Sequence, residues 1–148
     1  ERFSQMIDSA EFLEHANVFG NRYGTSKAEV TNKREQGQDV ILEIDWQGAQ
    51  QVRQAMPQAT GIFILPPSVE ALGERLTSRG EDTQESIAKR LSEAKLDMSQ
   101  AQHFDYFVVN QDFDTAIQDF VAIVRAARLQ KTVQLQQPAV QALVHFDG

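Results

Sequence analysis

Three short apolar runs, separated by segments of helical periodicity, constrain the fold of this chain more than any other feature. They span residues 40–45, 61–65 and 106–110. Solid apolar runs of this length are typical of strands that are covered on both faces, as in parallel sheets. Strands that alternate with helices favour parallel pairing through helical crossovers. The sequence therefore predicts an α/β fold with a mainly parallel sheet.

The segments between and around these runs predict helices with recognisable caps. We expect a helix end over residues 2–10, two short extended pieces over residues 12–24 that are joined by a turn at Gly20, and a polar helix after Ser26. Asp45 precedes a helix over residues 47–56, Ser68 one over 69–78, and Thr83 a long one. Asp114 is predicted to cap the last strong helix, and the glutamine-rich stretch 130–137 is expected to fray before a weak terminal helix.

Composition excludes several classes of protein. The 148 residues include no cysteine, which excludes disulfide scaffolds and thiolate metal sites. A net charge of −7 disfavours a nucleic-acid binder, and no apolar run has the length of a membrane span, so we expect no nucleic-acid and no membrane partner and a cytoplasmic protein. The chain opens without Met inside a helical pattern, so we expect a segment to precede Glu1.

Polar side chains follow two of the three apolar runs. Glu43 and Asp45 lie at the end of the first, and Asn110 ends the third, with Asp112 just beyond it. Ligands of open α/β sheets bind beyond the carboxyl ends of the strands, where an acid can order Mg²⁺-bound water near a phosphate. Asp45 also stands where a helix cap is needed. Both interpretations, a functional acid and a cap, stay open, and no direct metal ligand is predicted.

A second group of candidates is cationic. Arg75 and Arg79 lie four residues apart, Gly80 follows, and Arg90 lies on the next helix. Arginines on a helical hairpin suit a lid over phosphates, because guanidinium groups bind oxygens in pairs. The alternative is a solvated surface with intrahelical ion pairs.

The third group comprises Glu14, Tyr23, Gly24 and Thr25. A carboxylate can accept two hydrogen bonds from a base edge such as guanine N1–H and its 2-amino group, and Tyr and Thr hydroxyls can hold a phosphate. The alternative is an exposed Glu and a packed Tyr. Residues 20–27 are not a P-loop, because only three residues separate the glycines and no buried strand leads in.

Taken in order, these stretches resemble the guanylate kinase family in its bacterial form. The resemblance runs from Phe3 to Leu129 and rests on FLEHA at 12–16, GNRYGT at 20–25, IDWQGAQ at 44–50, FILPPS at 63–68, RL and RG at 75–80, IAKRL at 87–91 and DY to Asn110 at 105–110.

The resemblance implies Mg²⁺-dependent transfer of the γ-phosphoryl of ATP to GMP, giving ADP and GDP. It implies a P-loop-type parallel sheet flanked by helices, with GMP-binding residues in 1–37, core α/β parts at 38–68 and 101–131, a helical lid at 69–100 and a tail at 132–148. The family's first strand and P-loop would precede Glu1, so the chain alone is expected to be inactive.

The site residues are carried over by the same resemblance. Arg75, Arg79 and Arg90 resemble the arginines that neutralise the phosphates, with Arg75 and Arg79 also on the ATP side, and Asn110 resembles a residue near the adenine. Glu43 stands where Asp is usual. The residues that the resemblance assigns to GMP are Glu14, Tyr23, Gly24, Thr25, Glu43 and Asp45. The resemblance also places Asp45 near the metal ion, which it would contact through a water molecule.

Two alternatives to this enzyme remain. Guanylate-kinase-like domains of scaffold proteins bind peptides without catalysis, although such domains usually lose the nucleotide ligands that are retained here. A nucleoside monophosphate kinase with another base preference is the other alternative. Glu14 argues against it, because a carboxylate pairs with the donor edge of guanine and repels acceptor edges.

Overall fold

The computed structural model describes residues 2–18, 21–78 and 83–144. The chain forms two compact units, Glu1–Ala59 and Thr60–Gly148. In the first unit the elements are α1 (Arg2–Asp8), β1 (Phe12–Val18), β2 (Asn21–Ser26), α2 (Lys27–Glu35) and α3 (Trp46–Ala55). In the second they are β3 (Ile62–Leu65), α4 (Val69–Ser78), α5 (Gln84–Ser99), a 3₁₀ turn (Ala101–His103), β4 (Tyr106–Val109), α6 (Phe113–Arg128), α7 (Lys131–Gln134) and α8 (Pro138–Val144).

The first unit is built on an antiparallel pair of strands. β1 pairs with β2, and Glu14 lies opposite Thr25 while His15 lies opposite Gly24. The core beneath the pair consists of Leu13, Val30 and Val52. These three residues come from β1, α2 and α3, so the hairpin and both helices share one apolar centre.

The predicted strand over residues 40–45 is wrong. Burial alternates along the segment, because Val40, Leu42 and Ile44 pack against the core while Ile41 is 59% exposed. In the part of the chain that the structure describes, no strand pairs with this segment, so it lacks the ladder of hydrogen bonds that defines a strand. Apolar composition predicts that a segment is buried, but it does not predict whether a partner strand lies beside that segment.

The second unit contains the parallel pairing that the sequence predicts. β3 and β4 pair in parallel, with Ile62 opposite Tyr106 and Leu65 opposite Val109. Two helices, α4 and α5, lie between these strands in the chain, as a parallel connection requires. The backbone N–H of Asn110 donates to the Leu65 carbonyl at 2.8 Å, which continues the pairing by one residue.

Most of the predicted helix starts are confirmed. The Ser26 and Thr83 hydroxyls accept from the backbone of α2 and α5, and Ser68 Oγ accepts from Ala71 N at 3.0 Å. The prediction that Asp114 caps α6 is wrong. Asp112 is the cap, since its Oδ1 accepts from Thr115 N at 2.8 Å, and Asp114 lies in the first turn.

The glutamine-rich stretch 130–137 is also more ordered than the sequence predicts. It forms α7, and α8 follows with Pro138 at its first position, which a proline tolerates because its missing N–H would have no helical partner. The Gln134 side chain donates to the Arg128 carbonyl at 2.7 Å, and Gln141 donates to the Leu135 carbonyl at 2.6 Å. Glutamine amides thus bind carbonyl groups at the ends of the preceding helices.

Candidate functional site

Among the described residues of the first unit, Glu14 is the charged residue that is buried. Its side chain is only 6% exposed, on the central part of β1. Thr25, its cross-strand partner on β2, donates its hydroxyl to Glu14 Oε1 at 2.6 Å. A hydroxyl has one proton to donate, so in this structure the Thr25 proton orients the carboxylate and is not presented to a phosphate.

Asp45 lies at the N-terminus of α3 and caps it. Asp45 Oδ1 accepts from Gly48 N at 2.7 Å, so the cap is formed while the side chain stays exposed. The cap does not exclude a functional role, because Oδ2 takes part in no hydrogen bond within the described residues.

Gly48 is the point at which α3 meets Glu14. A Cβ added at Gly48 would lie 3.3 Å from Glu14 Oε2 and 3.4 Å from Asp45 Oδ1. Both carboxylates therefore border the same backbone position, and a side chain there would compete with Glu14 for space. The structure brings Glu14, Thr25 and Asp45 together at the first turn of α3.

The same helix also binds the main chain of β1. The Gln51 side chain accepts from His15 N at 3.1 Å and donates to the His15 carbonyl at 3.2 Å. Residues 48 and 51 are three apart, so they lie on adjacent turns of one side of α3.

The other residues predicted to bind GMP, Tyr23, Gly24 and Glu43, are exposed and lie within two residues of Thr25 or Asp45 in the chain. Tyr23 is 57% exposed and, two residues from Thr25 along β2, shares its face of the hairpin. Gly24 has a packing role, because a Cβ there would approach Phe12 Cδ1 to 2.8 Å. Glu43 is exposed, two residues before Asp45.

The arginines lie in the second unit. Arg75 Nη2, on α4, donates to the Asn110 carbonyl at the end of β4 at 2.8 Å, so these two predicted residues are in contact. Arg90 is exposed on α5, and α4 approaches this helix where a Cβ at Gly73 would lie 3.8 Å from Leu91. Arg79 and Gly80 lie outside the described residues.

Two carboxyl groups at helix N-termini have lowered pKa values. Hydrogen bonds from the Thr115 hydroxyl and then from its backbone N–H lower the pKa of Asp112. A hydrogen bond from its own backbone N–H, and then one from the Ser68 side chain, lower the pKa of Glu70. Asp112 therefore acts as a helix cap. This is the same role that Asp45 has at the N-terminus of α3.

Sequence reasoning missed two contributors to this site. Gly48 and Gln51 have no chemistry of their own that attracts attention, and their roles arise from the approach of α3 to β1. Gly48 lies three residues after Asp45, and Gln51 lies three residues after Gly48. This spacing places all three on one side of the helix and is the sequence signal that could have identified Gly48 and Gln51.

Two further features of the described residues concern metals and membranes. No group of three or more His, Asp or Glu side chains converges there as a metal site. None of the helices in the described ranges combines the length and the apolar character needed to span a bilayer.

The comparisons with known proteins agree in one family. The guanylate kinase family model matches residues 1–127. The chain is 51% identical over 139 residues to the guanylate kinase of Thiobacillus denitrificans, which covers 94% of this chain and 66% of that protein. It is 52% identical over 137 residues to the guanylate kinase of Escherichia coli K12, covering 93% of this chain and 66% of that protein.

A solved structure agrees with these relatives. The crystal structure of guanylate kinase from Anaplasma phagocytophilum matches with a TM-score of 0.75 and 29% identity, over 97% of this chain and 70% of that one. The fold is accordingly α/β of the P-loop NTPase type. The chain spans about two thirds of the length of the curated relatives it matches. On the family match and these identities, the chain belongs to the guanylate kinase family.

Proposed function

We propose that this chain provides the GMP-binding residues and the phosphate-binding arginines of a guanylate kinase, which transfers the γ-phosphoryl of ATP to GMP and yields ADP and GDP in the cytoplasm. The observation that carries the proposal is the buried Glu14, bonded to Thr25 at 2.6 Å and bordering the capped N-terminus of α3. The matched relatives are named for this reaction, and nothing in the comparisons favours the non-catalytic alternative.

Glu14 is proposed to read the base. Guanine presents two neighbouring donors, N1–H and the 2-amino group, and a carboxylate accepts both. Thr25 restrains the carboxylate before the base arrives, so less side-chain freedom is lost on binding. Adenine presents an acceptor at the corresponding ring nitrogen, and a buried carboxylate would face it unpaired.

Tyr23, Gly24 and Glu43 are proposed to complete the GMP site. Tyr23 is exposed on the same face as Thr25, and its hydroxyl can donate to a phosphate oxygen. Gly24 contributes its backbone, because its Cβ position is taken by Phe12. Glu43 is one methylene longer than the family's usual Asp, so we propose that it accepts from GMP at a slightly shifted position.

The arginines are proposed to neutralise the phosphates during transfer. Phosphoryl transfer needs positioning and charge stabilisation more than covalent chemistry. A guanidinium has five N–H donors, so the bond from Arg75 to the Asn110 carbonyl anchors the side chain and leaves donors for phosphate oxygens. Arg79 and Arg90 share this proposed role, and Asn110 is proposed to lie near the adenine.

Mg²⁺ fits the donor set around Asp45. This ion usually keeps several waters and binds through one or two carboxylates together with substrate phosphates. Asp45 is exposed, and its cap bond engages Oδ1, so Oδ2 can accept from metal-bound water. When bound, Mg²⁺ would offset phosphate charge, while Asp45 would orient its water.

Calorimetric titration of the chain with GMP tests the proposal, with AMP as the competing base. We expect GMP to bind and AMP to bind much more weakly. Glu14→Gln keeps an oxygen for Thr25 but presents an amide to the base, so GMP affinity should fall about 10- to 100-fold.

The matched control is Glu11→Gln, which removes the same charge at an exposed residue just before β1. It should leave the affinity for GMP unchanged. Equal binding of GMP and AMP by the unmodified chain would overturn the proposed function. An unchanged preference in Glu14→Gln would remove Glu14 from base recognition.

A further inference from the structure

The edge of β1 that faces away from β2 is held by a side chain. The N–H and C=O of a strand residue point to the same side, and both groups of His15 bind Gln51 at 3.1 and 3.2 Å. The primary amide of Gln51 therefore forms the same pair of hydrogen bonds that a residue of a neighbouring strand would form. These bonds join residues that are 36 positions apart in the sequence.

This contact lies next to the base-reading carboxylate. The N–H of His15 belongs to the peptide group that joins it to Glu14, so Gln51 fixes the backbone immediately after that residue. One turn earlier on α3, Gly48 leaves the space that Glu14 Oε2 borders at 3.3 Å. α3 thus contacts β1 at two successive levels, through the side chain of Glu14 and through the backbone of His15.

We propose that Gln51 is a positioning residue for guanine recognition, which sets the distance between the Glu14 carboxylate and the Asp45-capped end of α3. The inference rests on the proposed function. The side-chain amide of Gln51 on α3 binds both the backbone N–H and the backbone C=O of His15. These two hydrogen bonds fix the register of β1 against the helix.

Packing alone does not require a glutamine at this position. Val52, the next residue, supplies the apolar contact of α3 with Leu13 in the core, and Gln51 is only partly buried. An apolar side chain of equal length would cover the same surface. The amide adds a directional restraint on the position of β1, because two hydrogen bonds to one residue fix the strand both along its axis and across it.

The test compares affinities for GMP and IMP, which differ in the 2-amino group that Glu14 is proposed to read. Gln51→Met keeps the length of the side chain and removes both hydrogen bonds. We expect the preference for GMP over IMP to fall about tenfold. Gln50→Met, on the exposed side of the same helix, is the matched control and should retain the full preference.

A second variant helps to distinguish a loss of guanine recognition from a loss of stability. Gln51→Glu keeps the acceptor for His15 N–H but places a carboxylate oxygen against the His15 carbonyl, where the two acceptors repel, so the preference for GMP over IMP should fall as well. A purely structural role would lower the unfolding temperature of both variants without changing the GMP-to-IMP ratio. That result, with Glu14→Gln losing the preference as expected, would overturn the role of Gln51.

The failure of the proposed function has a different signature. If the unmodified chain itself prefers neither GMP nor IMP, Glu14 does not read the 2-amino group, and the inference falls with the function. If the unmodified chain prefers GMP and every Gln51 variant does so equally, only the inference fails.

Discussion

The two units hold their proposed functional residues in different ways. In the first, Glu14 is buried and bonded to Thr25, and α3 borders it through Gly48. In the second, Arg75 and Arg90 are exposed on α4 and α5, and Arg75 donates to the Asn110 carbonyl. The first arrangement is restrained on several sides, and the second depends on long side chains at the surface.

This difference matches the two kinds of recognition that we propose. Reading a base edge requires acceptors fixed to within a fraction of an ångström, so burial and short hydrogen bonds are useful there. Neutralising phosphates requires charge and reach, and a guanidinium supplies both from an exposed position. Substitutions in the first unit should therefore have larger effects than matched substitutions in the second.

Gly48 and Gly73 provide the sharpest comparison, since both are helical glycines. Gly48→Val would place side-chain atoms against Glu14 Oε2 and Ile44, whose Cβ is 3.3 Å from the added Cβ. We expect a loss of about 1–3 kcal/mol in the free energy of unfolding and a loss of about a hundredfold in GMP affinity. Chemical denaturation and calorimetry measure the two effects.

Gly73→Ala in α4 is the control from the other unit. Its Cβ would lie 3.8 Å from Leu91, an ordinary contact, and alanine favours helix over glycine. We expect stabilisation of about 0.5–1 kcal/mol. If the two glycine variants had equal effects on stability, the contrast between a crowded and an open helix face would be wrong.

The hydroxyl of Thr25 gives the next largest effect. Thr25→Val removes the donor to Glu14 Oε1 and leaves a buried carboxylate oxygen without that partner. The free energy of unfolding should fall by about 1–3 kcal/mol, and the preference for GMP should fall with it. Thermal unfolding with and without GMP separates the two.

Thr77→Val is the matched control for this hydroxyl. Thr77 Oγ1 donates to the Gly73 carbonyl at 2.8 Å on the exposed surface of α4, where water can replace it. Its effect on stability should stay within about 0.5 kcal/mol. A cost as large as that of Thr25→Val would mean that burial does not distinguish the two hydroxyls.

Most local features of this fold were predictable from sequence, whereas of the non-local ones only the parallel pairing of β3 and β4 was. The caps at Ser26, Ser68 and Thr83 depend on residues within one turn, so their sequence pattern suffices. The predicted strand at 40–45 failed because a strand depends on a partner that its own residues do not specify.

The same distinction applies to the candidate site. Glu14, Thr25 and Asp45 were identified as candidates by chemical type and by resemblance. Their mutual contacts follow from the register of β1 on β2 and from the approach of α3. The spacing of Gln51 from Gly48 places both on one side of α3, but the contact of Gln51 with His15 crosses 36 positions, so only the folded structure shows which strand that side meets.

The smallest predicted effect concerns Asp112, the aspartate cap of α6 in the second unit. Hydrogen bonds from the Thr115 hydroxyl and backbone N–H, at 2.7 and 2.8 Å, hold the pKa of Asp112 below its usual 3.8. The unfolded chain therefore binds this proton more readily than the folded chain. The stabilisation is present above the unfolded-state pKa and is lost as the pH falls through the folded-state pKa.

Asp112→Asn isolates this contribution, because asparagine is also a good cap but does not titrate in this range. Between about pH 7 and about pH 3, the free energy of unfolding of this variant should decline less than that of the unmodified chain. Thr115→Val, which removes the first cause of the shift and keeps the backbone bond, should lie between the two. Because Asp112 is exposed, the difference in the free energy of unfolding between the three chains should be small. Parallel pH profiles for all three chains would show that protonation of Asp112 is not linked to unfolding.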